Sequence, residues 1–253
     1  MNAAEQKASA EQDAYIEALE SKVAQLEEEL QRFVYAVSHD LNAPMRACSS
    51  FARLLEQRYS EQLDDRGKRY LEFIGANGSK AQQMIEALLT YSRIDSRAEP
   101  PQAINVEHAL ECVLGQLKPM INEKAAVIEL ANCPTIYMDA KHCSILFYCL
   151  INNALTYTKP DMTPHVLISG EKDEAAGEVT YRVQDNGVGI DPRFHEDVFT
   201  IFRRLHAEEE YPGIGAGLAL AKRIIEKAEG RIWVESNGQN GTTLCFTCKS
   251  PHA

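Results

Sequence analysis

The stretch Ser38-His39-Asp40-Leu41-Asn42-Ala43-Pro44 follows directly on a long apolar repeat. Upstream of it, apolar residues recur in steps of three and four, and this spacing predicts a helix with one stripe turned toward a partner helix. The repeat consists of Ile16, Leu19, Val23, Leu26, Leu30, Phe33 and Val37. His39 lies beside the end of this stripe, where Asp40 could orient its imidazole and accept its proton. We predict a nucleophilic histidine here, with a plain surface histidine on a coiled coil as the alternative.

Pro44 follows His39 closely and has no backbone N–H to donate. Its ring also clashes with the carbonyl group four residues back, so we expect the helix to loosen at this point. The sequence thus predicts a flexible point beside the reactive side chain.

Two long helices are predicted in the first third of the chain. The first runs from about residue 13 to residue 58, after a lead at residues 1–12 that lacks periodicity and is expected to be disordered. The second has its own stripe, which comprises Tyr70, Ile74, Asn77, Ala81, Met84, Leu88 and Tyr91. One helical hairpin has too little core to be stable alone, whereas two copies make a four-helix bundle. We therefore predict a homodimer through residues 13–95.

The composition is that of a globular protein with enough apolar residues for sizeable cores. The chain has 253 residues, of which 45% are hydrophobic, and a formal net charge of -11. This acidic balance argues against binding to nucleic acid or to an anionic membrane surface. The longest apolar run, residues 145–151, is far shorter than the ~18 residues of a membrane span, and the polar start lacks a signal peptide's apolar region. We predict a cytoplasmic protein without a membrane segment.

Seven cysteines are scattered along the chain, and we expect reduced, packed thiols. Cys245 and Cys248 form one close pair at the end of a strand-like run. A metal or redox role for this pair is the weaker alternative, because no second Cys/His pair exists to complete a site.

A linker at residues 96–104, with two adjacent prolines, precedes a second domain at residues 105–253. Helical and strand-like segments are mixed in this domain, which predicts an α+β sandwich and makes the whole chain an α+β multidomain protein. Helices are predicted at about 106–120, 141–157 and 217–229, and strands at about 127–130, 135–138, 165–170, 179–184, 232–236 and 242–247.

Two glycine-containing segments of the second domain have features of a nucleotide site. Asp185 to Ile190 follows a predicted strand, and its glycines let the backbone approach a ligand. An aspartate at a strand end can accept a hydrogen bond from an exocyclic amine, which suits adenine. Gly213 to Leu218 opens a helix, where free backbone N–H groups and the helix dipole favour phosphate oxygens. Ordinary tight turns are the alternative for each segment taken alone.

These residues resemble the motifs of the catalytic region of two-component sensor histidine kinases, over residues 15–250. Five motifs occur in the family's order: the phosphoacceptor box at Ser38–Leu41, the N box at Asn152–Thr158, the G1 box at Asp185–Gly189, the F box at Phe199–Phe202 and the G2 box at Gly213–Gly217. Four further segments are similar to the phytochrome-type subgroup, namely Leu89–Arg93, Phe202–His206, Glu210–Gly213 and Arg231–Ser236.

The resemblance implies a fold for each domain. Residues 13–95 would be the coiled-coil and dimerisation/histidine phosphotransfer domain, a helical hairpin that forms a dimeric four-helix bundle. Residues 105–253 would be the ATP-binding catalytic domain, an α/β sandwich of the histidine kinase/gyrase/Hsp90 type.

The resemblance also implies ATP-dependent autophosphorylation of His39, with Asp40 polarising the ring, and phosphoryl transfer to an aspartate of a response-regulator receiver domain. ATP and Mg²⁺ would be the cofactors, with Mg²⁺ on the amide oxygen of Asn153. Asp185 would hold the adenine amino group, and residues 203–212 would form a lid over the nucleotide. An upstream sensor domain or protein would act through the coiled coil. The nucleotide-binding residues carried over are Asn153, Tyr157, Asp185, Gly187, Gly189, Gly213, Gly215, Gly217 and Leu218.

The N-box region departs from the family pattern at two positions. Cys149 stands where an Asn is usual, and Thr156 stands where a Lys is usual. A charge-assisted hydrogen bond contributes roughly 1.5 to 3 kcal/mol, so the missing Lys alone would weaken triphosphate binding or transfer by about 10- to 150-fold. Lys159, Arg203 or Arg204 could compensate. The alternative is a dimeric histidine phosphotransfer protein or pseudokinase with weak or absent ATP use.

Two further activities are less favoured. An ATPase that transfers phosphate to water would carry a Glu base in the place of Cys149. Ala43 lies where many family members have a Thr or Asn that orients a dephosphorylating water, which argues against phosphatase activity.

Overall fold

A computed structural model of the protein describes residues 3–96, 99–207 and 210–251, and gives the backbone alone for residues 3–14, 20, 27, 95 and 96. The chain divides into two compact units, Met1–Ser96 and Arg97–Ala253. This division lies at the start of the linker predicted at residues 96–104. Within the described ranges, none of the helices has both the length and the hydropathy of a membrane span.

The first unit is a helical hairpin, as predicted. Helix α1 (Ala3–Tyr59) is followed by a short 3-10 helix (Ser60–Gln62) and by α2 (Asp65–Ser96). Helix α1 includes residues 3–12 of the lead for which the sequence predicts disorder, and residues 1–2 lie outside the described residues. It also continues through Pro44, so the predicted loosening produces no break in the helix.

Small residues let the two helices pack closely just after Pro44. A Cβ added at Gly78 would lie 2.3 Å from Oγ of Ser49, and one added at Gly75 would lie 3.8 Å from Cβ of Ala52. Ser49 and Ala52 are buried. Tertiary packing at this seam gives a physical reason why α1 stays helical around the proline.

The apolar repeat before His39 does not form this seam. Its members from Ile16 to Val37 are exposed in the single chain, and Phe33 is 66% exposed. The less exposed positions of α1 follow a different line, which comprises Gln31, Val34, Ser38, Asn42, Met45, Ser49 and Ala52. Helix α1 therefore has an apolar face, Ile16 to Val37, that α2 of the same chain leaves exposed. The homodimer that would cover it stays a prediction.

The second unit is an α/β sandwich, as predicted. The elements are β1 (Gln102–Ile104), α3 (Val106–Glu123), β2 (Val127–Leu130), β3 (Ile136–Met138), α4 (Ala140–Thr156), β4 (His165–Asp173), β5 (Glu178–Asp185), two 3-10 helices (Pro192–Phe194 and Asp197–Phe199), α5 (Gly217–Lys227), β6 (Ile232–Glu235) and β7 (Thr243–Lys249). Five strands form one sheet in the order β2-β4-β5-β7-β6, in which β2 and β4 are parallel and the other pairs are antiparallel. β1 pairs with β3 and falls inside the predicted linker.

Aromatic rings connect α4 to the sheet. The ring centroid of Phe147 on α4 lies 5.5 Å from that of Tyr181 on β5 and 5.7 Å from that of Phe246 on β7. All three side chains are fully buried. Buried and less buried residues alternate along β5, as expected for a strand with one face on the core. This packing fixes α4 against the strand that ends at Asp185.

Candidate active site

His39 lies on an exposed part of α1 in the first unit. Its side chain is 74% exposed, and its Nδ1 lies 3.1 Å from Oδ1 of Asp40. When Nδ1–H donates to this carboxylate, the lone pair of the neutral ring is on Nε2. Nε2 is then a nucleophile that a large substrate can reach, and Asp40 stabilises the charge that the ring gains.

In the second unit, Asp185 lies at the end of β5 among backbone donors. Its Oδ1 accepts hydrogen bonds from the N–H of Gly187, at 2.8 Å, and from the N–H of Thr242, at 3.0 Å. Burial nevertheless raises the pKa of this carboxyl group from 3.8 to about 6, because desolvation of the charged form outweighs both hydrogen bonds. Oδ2 takes no part in these two bonds, so the carboxylate keeps an acceptor for a ligand amine.

The glycines of the G1 box make close backbone contacts. A Cβ on Gly187 would lie 2.3 Å from the backbone O of Tyr157. A Cβ on Gly189, whose φ is +81°, would lie 2.8 Å from the backbone N of Gln239. The carbonyl of Tyr157 also accepts a hydrogen bond from the N–H of Val188, at 3.0 Å. The G1 box is therefore held against the C-terminal end of α4.

The connection between β6 and β7, residues 236–242, holds the other side of the G1 box. The N–H of Gly241 donates to the carbonyl of Gly187 at 3.0 Å. A Cβ on Gly241, whose φ is +78°, would lie 2.1 Å from the backbone O of Asp185. Sequence reasoning missed this segment. The available signal was the run Ser-Asn-Gly-Gln-Asn-Gly-Thr, in which both glycines have positive φ.

Asn153 lies in the last turn of α4 and is half-buried. No hydrogen bond joins its side-chain amide to the rest of the described chain, so its oxygen is available to a cation. Mg²⁺ prefers oxygen ligands and usually keeps only one or two protein ligands beside phosphates and water, which the amide fits. Nowhere in the described ranges do three or more His, Cys, Asp or Glu side chains group as a metal site. A cation at Asn153 would depend on the triphosphate for its remaining ligands.

The two N-box departures have defined surroundings. Thr156 is buried, and its hydroxyl donates to the carbonyl O of Asn152, at 2.7 Å, inside the helix. Cys149 is 8% exposed, and burial raises the pKa of its thiol to about 12, so the thiol is neutral. A Cβ on Gly217, the first residue of α5, would lie 3.7 Å from Cβ of Cys149. Helix α4 and the start of α5 thus meet at a small uncharged side chain.

The basic residues that could replace the missing lysine already have partners. Lys159 donates to the backbone carbonyl of Gln239, at 2.9 Å. Arg203 pairs with Asp197 at 2.7 Å. Arg204 donates to a backbone carbonyl inside the lid segment. Lys159 and Arg204 donate to neutral carbonyls and keep both their charge and further N–H donors, whereas Arg203 is paired with a carboxylate.

The described part of the lid, residues 203–207 and 210–212, places two rings on Tyr157. The ring centroids of His206 and Tyr211 lie 5.8 and 5.3 Å from that of Tyr157, and 5.2 Å from each other. The three rings form an aromatic cluster at the C-terminal end of α4. Sequence reasoning assigned Tyr157 to the nucleotide site but missed its two aromatic partners.

The G2-box residues differ in how tightly they are held. A Cβ on Gly215, whose φ is +72°, would lie 2.6 Å from the backbone O of Arg203, the first residue of the lid. The close approach of the lid backbone therefore requires a glycine at position 215. Gly213 is exposed, with φ +140° and open space around the position of a Cβ. Leu218 is half-buried in the first turn of α5. Contact with nucleotide stays a prediction for all three.

Two protein families match the chain. The family described as "His Kinase A (phospho-acceptor) domain" matches residues 29–97. The family described as "Histidine kinase-, DNA gyrase B-, and HSP90-like ATPase" matches residues 138–252. The first match contains His39, and the second contains Asn153, Asp185 and both glycine segments.

Similar proteins are longer. The phytochrome-like protein Cph1 of Synechocystis sp. is 39% identical over 219 residues, which are 87% of this chain and 29% of that protein. The methanogenesis regulatory histidine kinase FilI of Methanothrix harundinacea is 31% identical over 224 residues, which are 88% of this chain and 25% of that protein. The chain thus spans less than a third of the length of either relative.

A solved structure shares the fold. The crystal structure of full-length ShkA in complex with AMPPNP has a TM-score of 0.64 and 23% identity, and the likeness covers 87% of this chain and 45% of that one. At this identity the likeness concerns the fold alone. The two family matches lie in the helical hairpin and in the α/β sandwich, and together with the relatives they fit the catalytic region of a sensor histidine kinase.

Proposed function

We propose that the protein is a dimeric protein-histidine kinase that moves the γ-phosphoryl group of ATP to His39 and then to an aspartate of a response-regulator receiver domain. The observation that carries this proposal is the state of Asp185. One of its oxygens is held by two backbone donors, and burial disfavours its charge. A partly buried carboxylate with a perturbed pKa and an available acceptor is the arrangement expected of a ligand site.

The G1 box would bind the adenine of the nucleotide, and the G2 box would bind its phosphates. The exocyclic amine of adenine would donate to Asp185, and the phosphates would extend toward the start of α5. No side chain caps the first turn of that helix at Ala216, so its N–H groups are available to phosphate oxygens. Mg²⁺ bound with ATP would neutralise phosphate charge, and the amide oxygen of Asn153 would hold it.

The exposure of His39 and its contact with Asp40 support the proposed transfer step. Its Nε2 lone pair would attack the γ-phosphorus of ATP, the bond from phosphorus to the bridging oxygen would break, and ADP would leave. Asp40 would accept the hydrogen bond from Nδ1–H and so stabilise the positive ring. A receiver-domain aspartate would then attack the same phosphorus, and the nitrogen–phosphorus bond would break.

The alternative of a pseudokinase or phosphotransfer protein is favoured by one specific observation. The position of the family's lysine holds Thr156, whose hydroxyl is used inside α4, and the neighbouring Arg203 is already paired with the carboxylate of Asp197. Triphosphate charge would then be neutralised less well. Under the kinase proposal, this predicts a slow reaction rather than none.

Incubation of the full chain with γ-³²P-labelled ATP and Mg²⁺ tests the proposal. We expect acid-labile, base-stable label on the wild-type protein and none on His39→Gln, because phosphate on histidine nitrogen has this stability. Transfer to a purified receiver domain tests the second step. Unlabelled wild-type protein that still binds ADP would favour the phosphotransfer alternative, and label that persists in His39→Gln would exclude His39 as the acceptor.

The homodimer is proposed from the apolar face of α1. Its seven apolar side chains from Ile16 to Val37 are all exposed in the single chain, and patches of this kind rarely stay open on soluble monomers. A continuous helix also joins this face to His39, so we propose that an upstream sensor domain or protein acts through it.

Lysines on this face are expected to weaken the dimer. In the double variant Leu26→Lys/Leu30→Lys, four like charges would meet in the paired stripe, and we expect monomer at protein concentrations where wild type is dimeric. Sedimentation velocity measures this. The matched variant Ser21→Lys/Gln25→Lys adds the same charge on the opposite side of α1 and should stay dimeric. Equal sedimentation of both variants would contradict the proposed interface.

A further inference from the structure

A cavity of about 180 Å³ lies in the second unit, away from the candidate nucleotide site. It is formed where α4 begins and α5 ends, whereas the N box and the G2 box lie at the other ends of these two helices. Its walls include the apolar side chains of Tyr137, Met138 and Ile224. The activity proposed above makes no use of it.

The acidic side chains that line this cavity already have partners, which are backbone N–H groups or lysine side chains. Asp139 is buried and caps α4: its Oδ1 accepts from the N–H groups of Lys141, at 2.7 Å, and His142, at 3.1 Å. Its Oδ2 accepts from the N–H of Glu99. The Glu99 side chain in turn pairs with the ammonium group of Lys141. Glu229 and Lys249, which also line the cavity, pair with each other.

Two polar groups of the cavity are left for a ligand. Lys227 lines the cavity and is exposed, and no ion pair joins it to another residue within the described ranges. His142 also lines the cavity, and the residue is only 8% exposed. No hydrogen bond connects its ring nitrogens to the part of the chain that the structure describes, and these nitrogens are not among the fully buried atoms that lack a partner. The ring nitrogens therefore remain accessible, and a ligand in the cavity could hydrogen-bond to them.

The size of the cavity limits such a ligand. An apolar protein cavity of about 150 Å³ takes one benzene ring, so this cavity suits a single aromatic ring with a small substituent. We propose that it binds a small aromatic acid. The ring would lie against Met138 and Ile224, the carboxylate would pair with Lys227, and His142 would hydrogen-bond to the same carboxylate.

Fluorine NMR of 4-fluorobenzoate with the full chain tests this proposal. We expect saturable broadening of the ligand resonance that persists with saturating ADP and Mg²⁺. Lys227→Met should raise the Kd at least fivefold, and Ala228→Trp, which places a large ring on a lining residue, should abolish the broadening. Lys118→Met, which removes an exposed lysine from α3, should leave the Kd unchanged. Fluorescence of Trp233, the single tryptophan, verifies that each single-residue variant other than Ala228→Trp is folded.

Three results would overturn the proposal. The first is no saturable broadening with the wild-type protein. The second is an equal Kd for Lys227→Met and Lys118→Met. The third is an equal Kd for 4-fluorobenzoate and for neutral 4-fluorobenzyl alcohol, because pairing with Lys227 requires the carboxylate.

Discussion

Replacing Asp185 by asparagine is expected to weaken nucleotide binding at least 100-fold while it stabilises the nucleotide-free domain. The amide oxygen of the new side chain can still accept from Gly187 and Thr242, which turns its NH₂ group toward the ligand. A donor would then face the adenine amine. Loss of a charge-assisted hydrogen bond alone weakens binding by about 10- to 150-fold, and the unmatched donor adds to this.

The gain in stability follows from the raised pKa of Asp185. The pKa is 3.8 in an unperturbed carboxyl group and about 6 in the folded protein, so between these values the folded state holds a proton that the unfolded state releases. Stability therefore falls as the pH rises through this window and stays lower above it. Two pKa units correspond to roughly 3 kcal/mol at most, and asparagine removes this cost, so above about pH 6 we expect a Tm several degrees higher.

Calorimetric titration with ADP and Mg²⁺ measures the affinity, and thermal unfolding followed by Trp233 fluorescence measures the stability of the second unit. Trp233 is the single tryptophan of the chain and lies on β6, so its signal reports this unit alone. Asp161→Asn, at an exposed loop position, controls for the change in net charge and should alter neither quantity. Normal ADP affinity of Asp185→Asn would contradict the adenine assignment.

Nucleotide affinity of the wild-type protein is expected to fall in mild acid. At about pH 5, one unit below the pKa of Asp185, only about a tenth of the carboxyl groups are ionised, so ADP should bind about 10-fold more weakly than near pH 7.5. The ADP affinity of Asp185→Asn, measured over the same pH range, is the reference. This variant has no carboxyl group at position 185, so any pH dependence of its affinity comes from titration of the ligand. Parallel pH profiles of the two proteins would exclude ionised Asp185 as the acceptor.

Replacing Gly187 by alanine is expected to destabilise the second unit by about 3 kcal/mol and to remove measurable ADP binding. The new Cβ would lie 2.3 Å from the backbone O of Tyr157, which cannot rotate away as a side chain could. Overpacking costs typically 1–3 kcal/mol and occasionally more, and a backbone contact belongs at the upper end. Relief of the clash must move the G1 box or the end of α4, and both carry proposed ligand contacts.

The same substitution elsewhere in this unit provides the control. Gly115 lies inside α3 and has no atom within 4 Å of the position of a Cβ. Gly115→Ala should therefore stabilise the unit by about 0.5–1 kcal/mol, because alanine is the better helix former. Urea unfolding followed by Trp233 fluorescence compares the two variants. Equal unfolding midpoints for Gly187→Ala and wild type would contradict the tight contact with Tyr157.

The elements around the candidate site were predictable from local patterns. Periodic apolar residues place α4 within one residue of its predicted ends, and Asp185 ends β5 where a strand-terminal aspartate was expected. The connection at residues 236–242 was not predictable, because it contributes through backbone groups. Its Thr242 N–H donates to a carboxylate 57 positions earlier in the chain, and no side-chain pattern encodes that contact.

In the first unit, too, local patterns predict the elements but not all of their contacts. The apolar repeat correctly predicts a helix with one apolar face, but hydropathy does not say which helix covers that face. Helix α2 packs on another line of α1, where Gly75 and Gly78 allow close approach and contribute almost no hydropathy signal. Likewise, the sequence identified Lys159 and Arg203 as basic residues near the site, yet only the fold reveals that each has a partner.

The connection between β6 and β7 has a practical consequence for engineering. A surface hairpin rich in glycine and asparagine is ordinarily the first choice for an epitope tag, a protease site or the new termini of a circular permutant. Here the hairpin supplies the N–H groups that hold Asp185 and Gly187. We expect that cutting or lengthening it would remove donors that position the proposed adenine-binding carboxylate, so insertions belong in the β4–β5 turn at residues 174–177 instead.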